Sequence, residues 1–463
     1  MSPTAREQIR TAHQESGRRI AVLDDDPTGS QAVHDVALVF DLDPAEYAAG
    51  LAEPGATCFV LTNSRSLSGE DAYRLVHRVG RDLMELGERL GVPMSVVSRS
   101  DSTLRGHLIA EVRALDAARR EVLGRGVDGV LLVPAYLEAG RFTTGNTHWA
   151  RVGGHPVPVG QTEFARDAAF GYRSSDLVDF VVERGRGTID RHEVHALTLD
   201  DIRLGGPERV ARILADVEGG RFVVVNATSY DDLETVVLGL LAAEADGKAF
   251  LHRTGPSFVR ALAGLGPRDP LTAHQIWPDG RPPGHGLVVV GSHVDLTTRQ
   301  VAAARGRGGL VALELDVAAM VDPGLREGYV AAAARQAGAA LARSDVLLVT
   351  SRTVLTADDP PAGLRLARTV SAAVADVVRG VLDARPQWIV AKGGITSHDV
   401  AVTGLGIRRG VVLGQLLPGL ISVVRPITAL PGAQGVPYIV FAGNVGGEDA
   451  LADVVDVLGG RSS

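Results

Sequence analysis

Ile20-Ala21-Val22-Leu23-Asp24-Asp25-Asp26-Pro27-Thr28-Gly29 joins a short apolar run to three consecutive carboxylates and a turn. Four apolar residues bounded by turn formers read as a buried strand. Three acids at its end repel one another unless a cation, Mg²⁺ or ligand hydroxyls share the site. Turn and cap chemistry is the plain alternative, since Asp, Pro and Gly are all turn residues. A run of three acids exceeds what a turn needs, so Asp25 and Asp26 are taken as candidate site residues.

The same arrangement recurs outward along the chain. Apolar runs read as strands at Ile20 to Leu23, Val36 to Phe40, Cys58 to Leu61, Met94 to Val97, Val130 to Val133 and Phe222 to Val225. A second series comprises Leu287 to Val290, Leu310 to Leu315, Val346 to Val349, Trp388 to Val390, Ile421 to Val424 and Tyr438 to Phe441. Segments of helical period separate them, which predicts βαβ units and a mostly parallel sheet. Between the series, Gly266 to Gly286 is rich in Pro and Gly and lacks periodicity, so a domain boundary is expected there. The reading is α/β with two domains, each a mostly parallel sheet flanked by helices: a polar N-terminal arm over 1–18, domains over 19–270 and 286–463, and a linker over 271–285. No repeat of fixed period is evident. At 463 residues the chain exceeds the roughly 250 to 300 residues over which one core grows, which supports the division.

Composition narrows the class. Hydrophobic residues make up 45% and charged residues 22%, the balance of a globular protein. The longest apolar stretch, Val411 to Val424, is broken by Gln415 and Pro418 and is shorter than the ~20 residues a bilayer requires. The first nineteen residues carry no apolar segment of the signal-peptide kind, so a cytoplasmic location is expected. Cys58 is the single cysteine; it excludes an internal disulfide or multi-cysteine metal site and reads as a buried core thiol. A net charge of −8 without a basic stretch argues against nucleic acid or anionic lipid as partner. No protein-held metal site is expected, and a homodimer is compatible with the sequence.

Most of these strands end in small or polar residues, where open α/β sheets bind ligands. Thr62-Asn63-Ser64-Arg65-Ser66 places an arginine past a strand; its guanidinium suits a carboxylate ligand or an ion pair with one of the aspartates. Ser98-Arg99-Ser100-Asp101-Ser102-Thr103-Leu104-Arg105-Gly106 is dense in donors and acceptors. One of its hydroxyls is expected to cap the helix that follows, and Arg99, Asp101, Ser102 and Thr103 to bind hydroxyls and carboxylate. The loop Pro134 to Thr143 follows another strand, and Thr162 to Asp167 reads as a capped helix start.

In the second domain, Val290-Gly291-Ser292-His293 and Lys392-Gly393-Gly394-Ile395-Thr396-Ser397 each run strand, small residues, helix, an arrangement that offers backbone N–H groups to phosphate. Thr396 and Ser397 suit capping. Phe441-Ala442-Gly443-Asn444-Val445-Gly446-Gly447 adds a third such turn. No G-x-x-x-x-G-K-[ST] loop, protein-kinase catalytic loop, nucleophile elbow or His-pair zinc motif is present. Gly404-Leu405-Gly406 neither follows a strand nor continues as a Rossmann fingerprint.

In this order the motifs resemble the four-carbon acid sugar kinases: Asp25-Asp26 with Thr28-Gly29, Asn63-Ser64-Arg65, Asp101 to Gly106, Gly291-Ser292, Gly393-Gly394 with Thr396-Ser397, and Gly443 to Gly447. The resemblance implies a sugar-acid-binding N-terminal domain, a nucleotide-binding C-terminal domain and an active site in the cleft between them. It implies ATP with Mg²⁺, and a small acid sugar such as a threonate, erythronate or oxo-tetronate phosphorylated on its terminal hydroxyl. Substrate contacts are implied at Asp25, Arg65 and Asp101 to Thr103, and nucleotide contacts at Ser292, Gly393, Gly394, Thr396 and Gly443. Lys392, Ser397 and Asn444 join them by position. Asp25 and Asp101 are both candidates for the base, and the sequence does not choose between them. Departures from the family pattern are Asp24, Pro27, Arg99 and His293, three of them beside the sugar site. The competing readings are a lyase, isomerase or dehydrogenase acting on a related acid, and a cytoplasmic sugar-acid-binding protein. Stabilisation by ATP separates the kinase from all of these.

Overall fold

The computed structural model describes residues 4–26, 29–30, 32–291, 294–351, 360–417, 421–443 and 445–461, with the backbone alone for 360–365. Two compact units result, Met1–Pro267 and Arg268–Ser463.

Unit 1 contains β1 (Arg19–Asp24), β2 (Val36–Val39), β3 (Thr57–Leu61), β4 (Met94–Arg99), β5 (Gly129–Val133), β6 (Arg141–Thr144), β7 (Thr147–Val152), β8 (His155–Pro158), β9 (His195–Leu197), β10 (Arg221–Val225) and β11 (Phe250–Thr254). Its main sheet runs β2-β3-β1-β4-β11-β5-β10-β9, with every pairing parallel. Strands β1, β3, β5 and β11 are buried along their whole length, as expected of strands covered by helices on both faces. The helices Gly69–Leu90 and Leu108–Leu123 bury Val76, Val79, Leu83, Leu115 and Ala118 against Ala21, Val60 and Val96. Cys58 lies in that core as a free, buried thiol. Strands β6, β7 and β8 form a separate antiparallel sheet.

Unit 2 contains β12 (Leu287–Val290), β13 (Leu310–Leu315), β14 (Asp345–Thr350), β15 (Ile389–Lys392), β16 (Arg409–Gln415), β17 (Ile421–Thr428) and β18 (Tyr438–Phe441). The order is β13-β14-β12-β15-β18-β17-β16. It is parallel from β13 to β18 and antiparallel thereafter. Its core gathers Val288, Val290, Leu347, Trp388, Val390, Ile439 and Phe441.

Both sheets reverse direction at their first strand. In unit 1 the chain builds β2 and β3 on one side of β1 and then crosses to β4 on the other; in unit 2 it builds β13 and β14 beside β12 and then crosses to β15. A reversal of this kind splays the two flanking loops apart and opens a crevice at the strands' carboxyl ends.

Three local readings come out differently. Residues 5–16 of the expected polar arm form a helix, with Thr4 in a capping box and Ile9 and His13 buried. The stretch 271–285, read as linker from its Pro and Gly, starts the second unit: Leu271, Ile276 and Trp277 are buried in its core, and Thr272 caps the short helix Ala273–Ile276. The helix Leu108–Leu123 has His107 at its N-cap without a side-chain cap bond, because the hydroxyls upstream serve Asp101 and Glu111 instead.

Candidate functional site

At the reversal in unit 1, Asp24 is paired with Leu61 of β3 and with Arg99 of β4, and Arg99 with Thr254 of β11. Four strand ends therefore converge. The backbone past β3 is drawn in by Asp24, whose carbonyl accepts from the N–H and hydroxyl of Thr62 at 2.9 Å each. Asn63 then turns through a left-handed conformation, φ 49°, which aims Arg65 back at the acids.

Arg65 spans two of them. Its Nε and Nη2 donate to Asp25 at 3.1 and 2.5 Å, and Nη1 donates to Asp26 at 3.1 Å. The ion pair foreseen as an alternative for Arg65 is thus formed, and doubly. Arg99 donates to Asp24 Oδ1 at 2.8 Å, and both side chains are buried. Burial pushes Asp24 up to about 7 against the pull of Arg99. Burial also raises Asp25, with Arg65 opposing.

Asp101 sits on the turn after β4. Its Oδ2 accepts from Arg105 Nε at 2.7 Å and from the Thr103 hydroxyl. Burial alone would raise its pKa, but the charges of Arg65 and Arg105 and the Thr103 bond outweigh burial and hold it well below the usual carboxylate range. The turn closes through Leu104 N–H donating to Asp101 O at 3.1 Å. Leu104 is buried at φ 69°, a conformation costing on the order of 1–3 kcal/mol, of the kind that clusters at functional sites. Ser102 and Thr103 are buried; Ser102 O accepts from His148 Nε2 of the small sheet at 2.8 Å, and Thr103 O from Tyr172 Oη, which lies beyond that sheet, at 2.7 Å. His148 Nδ1 in turn faces the Thr143 hydroxyl at 2.9 Å, and burial lowers the imidazole to about 4, keeping it neutral.

Asp25, Asp26, Arg65, Arg99, Asp101, Ser102 and Thr103 therefore share one end of unit 1. Sequence reasoning missed the buried pair beneath them. Arg253 of β11 donates to Glu111, which also accepts from Ser64 at 2.6 Å and Ser98 at 2.8 Å. The signal was present in Phe250-Leu251-His252-Arg253-Thr254, two apolar residues followed by three polar ones, but a basic residue in a central strand lowers the apolar score. Gly106, φ 111°, lies beside both groups: a Cβ there would fall 2.9 Å from Asp25 Oδ2 and 3.1 Å from Arg253 Nη2. A side chain at position 106 would crowd the Asp25 carboxylate, which is itself buried.

In unit 2, Val290, Lys392 and Phe441 are register partners, so Gly291, Gly393-Gly394 and Gly443 follow adjacent strand ends. Gly393 takes φ 115°, open only to glycine at low cost. Among the described residues, a Cβ on Gly394 would meet nothing within 4 Å. Thr297 Oγ1 donates to Gly443 O at 2.9 Å, and Gln300 Nε2 to the carbonyls of Val445 and Gly447 at 3.0 and 2.8 Å, which fixes the third turn. Lys392 reaches the Gly443 turn from within the core, its ammonium 3.4 Å from Gly443 O, and Ser397 turns back toward its own strand. Lys392 is 0% exposed; its ammonium donates to Ala442 O at 3.1 Å and lies 3.8 Å from the Phe441 ring centroid, and burial lowers it to about 7. The Ser397 hydroxyl donates to Ala391 O at 2.7 Å. Thr396 and Ser397 lie inside the helix Gly394–Asp399, whose N-cap is Gly393. Ser292 and Asn444 lie outside the described residues, as do Pro27, Thr28 and His293.

Residues 20–262 match a sugar-binding N-terminal domain and residues 287–451 a nucleotide-binding C-terminal domain. The chain belongs to the four-carbon acid sugar kinase family. It is 30% identical over 268 residues to a D-erythronate kinase of Heliobacterium modesticaldum, covering 57% of this chain and 54% of that one. It is 28% identical over 292 residues to a D-threonate kinase of Salmonella typhimurium, covering 63% and 61%. The match thus spans less than two thirds of either relative. Solved structures of a Salmonella typhimurium LT2 protein (TM-score 0.69, 17% identity, 94% of this chain and 98% of that) and a Haemophilus influenzae protein (0.64, 16%, 95% and 99%) share the fold. Among the described residues no helix is long and apolar enough to cross a membrane.

Proposed function

We propose that this family member transfers the γ-phosphoryl group of ATP to the terminal hydroxyl of a four-carbon sugar acid of the erythronate or threonate type. The observation carrying the reading is the Asp25–Arg65–Asp101 constellation at the reversal point of a domain of the sugar-binding kind. In this reading Asp25 takes the proton from the attacking hydroxyl. Its carboxylate has four lone-pair sites, Arg65 occupies two, and burial raises its basicity. Arg65 orients it, and Asp101 with Ser102 and Thr103 lines the rest of the sugar site. Asp101 is the poorer base, because its charge is already stabilised by Arg65 and Arg105.

The nucleotide is assigned to the turns at Gly291, Gly393-Gly394 and Gly443, where glycine lets phosphate oxygens approach backbone N–H groups. Thr396 borders the same turns, while Lys392 and Ser397 act as internal braces. The described residues hold no cluster of three metal-ligating side chains. Mg²⁺ bound through the triphosphate itself fits such a site, and it would neutralise phosphate charge during transfer.

The test is ADP release with D-erythronate, D-threonate and their oxo analogues, together with thermal shift by ATP·Mg²⁺. Turnover of at least one acid is expected. No turnover and no stabilisation by ATP would overturn the reading. Within it, Gly394→Trp should abolish ATP stabilisation and leave sugar-acid binding by calorimetry within about twofold, since the new side chain meets open space. Loss of both ligands would instead deny that the two sites are separate.

A further inference from the structure

The acids and arginines at the sugar end of unit 1 pair off almost completely. Arg65 holds Asp25 and Asp26, Arg99 holds Asp24, and Arg105 holds Asp101. Arg253 holds Glu111. Arg141, at the start of β6, is different. Among the described residues its guanidinium has no hydrogen-bond acceptor or ion-pair partner, and its Nε is buried without one. Its Cζ lies over two rings, 5.7 Å from the centroid of Tyr136 and 5.8 Å from that of Phe164. Aromatic faces can hold a guanidinium in place while leaving its N–H fork unspent.

Its position is tied to the site. Strand β6 is bound to the Asp101 turn through Thr143, His148 and the carbonyl of Ser102. Arg105 lies over the same Phe164 ring, at 5.2 Å. Asp101 attracts Arg141 without reaching ion-pair distance, and Arg105 repels it. A partly buried cation with no counter-ion costs free energy unless its partner arrives with the ligand.

Resting on the kinase reading above, we infer that Arg141 is the residue that receives the substrate's carboxylate, held ready by Tyr136 and Phe164, and that it selects acids over neutral polyols. Arg65, with three of its five N–H groups on Asp25 and Asp26, positions the base instead.

The experiment compares wild type, Arg141→Met and Arg141→Lys for phosphorylation of D-erythronate and D-threonate and of the neutral tetritols, erythritol and threitol. For Arg141→Met, kcat/KM for the acid should fall about 100-fold, mostly through KM. The KM for ATP should stay within twofold, and the preference for acid over tetritol should collapse by a similar factor. Arg141→Lys keeps the charge without the fork and should lose about tenfold. If a wild type active on acids retains its acid KM and its acid preference in both folded variants, this inference is overturned and the kinase reading stands. Should Arg141→Met fail to fold, an unchanged Arg141→Lys overturns it equally. If the wild type phosphorylates no acid, both fall together.

Discussion

Asp25→Asn is expected to lower kcat by ~10² to 10⁴ while the KM for the acid moves only a few-fold, the range spanned by removal of a positioned general base. The asymmetry with Asp101 follows from their surroundings. Both carboxylates are withdrawn from water, but Asp101 is compensated by Arg65, Arg105 and the Thr103 hydroxyl, and its proton affinity falls. Asp25 shares Arg65 with Asp26 and lies close to the negative Glu111, so burial prevails and its proton affinity rises. A base acts through that affinity. Asp101→Asn should therefore act mainly on KM, by loosening the Arg105 and Thr103 contacts that shape the turn. Steady-state kinetics on both variants, with melting temperatures as a control for folding, decides the matter. A kcat for Asp25→Asn within a few-fold of wild type, alongside a large loss in Asp101→Asn, would move the base to Asp101.

How much of this was visible in the chain depends on which physical signal carried it. All twelve apolar runs read as strands are strands; most are covered on both faces and so must be apolar throughout, whereas β13 is half-exposed and was legible by its β-branched and aliphatic run alone. Those missed lack that signal. Strand β11 carries His252 and Arg253 in a buried position, β9 has three residues, and β6 to β8 form a half-exposed meander. Strand β16 was hidden in the run from Val411 to Val424, whose two halves pair antiparallel. Site residues at strand ends were legible because a carboxylate or arginine there contrasts with the apolar residues before it. What those side chains do was not. Lys392 reads as a phosphate ligand by type and position, yet its ammonium braces two strand ends from within. Whether a polar group faces ligand or backbone is settled by neighbours remote in sequence, as Glu111 and Arg253 show across 142 residues.

That pair sets the largest expected effect on stability. Glu111 and Arg253 have side chains only 3% exposed each, with Ser64 and Ser98 on the carboxylate and Ser98 also accepting from Arg253 at 2.6 Å. Removing one partner leaves the other charged, buried and uncompensated. Glu111→Leu or Arg253→Leu should each cost unit 1 about 3–5 kcal/mol in urea unfolding. The double substitution should recover much of that, since an apolar pair of similar volume avoids the desolvation of both ions. Acid should reveal the same pair. Burial tends to raise Glu111, but Arg253 and the two serine bonds outweigh it and lower its pKa below the ordinary 4.5. The ionised pair therefore contributes fully above about pH 4.5, and its contribution is lost as pH falls through the lower folded value. Wild type should show this acid-linked loss, and the double variant should lack it. Single variants within 1 kcal/mol of wild type would show that the pair contributes little to stability. The surviving role would then be electrostatic, through the negative charge that Glu111 presents to Asp25. In that case Glu111→Gln should alter the pH dependence of kcat while leaving unfolding unchanged.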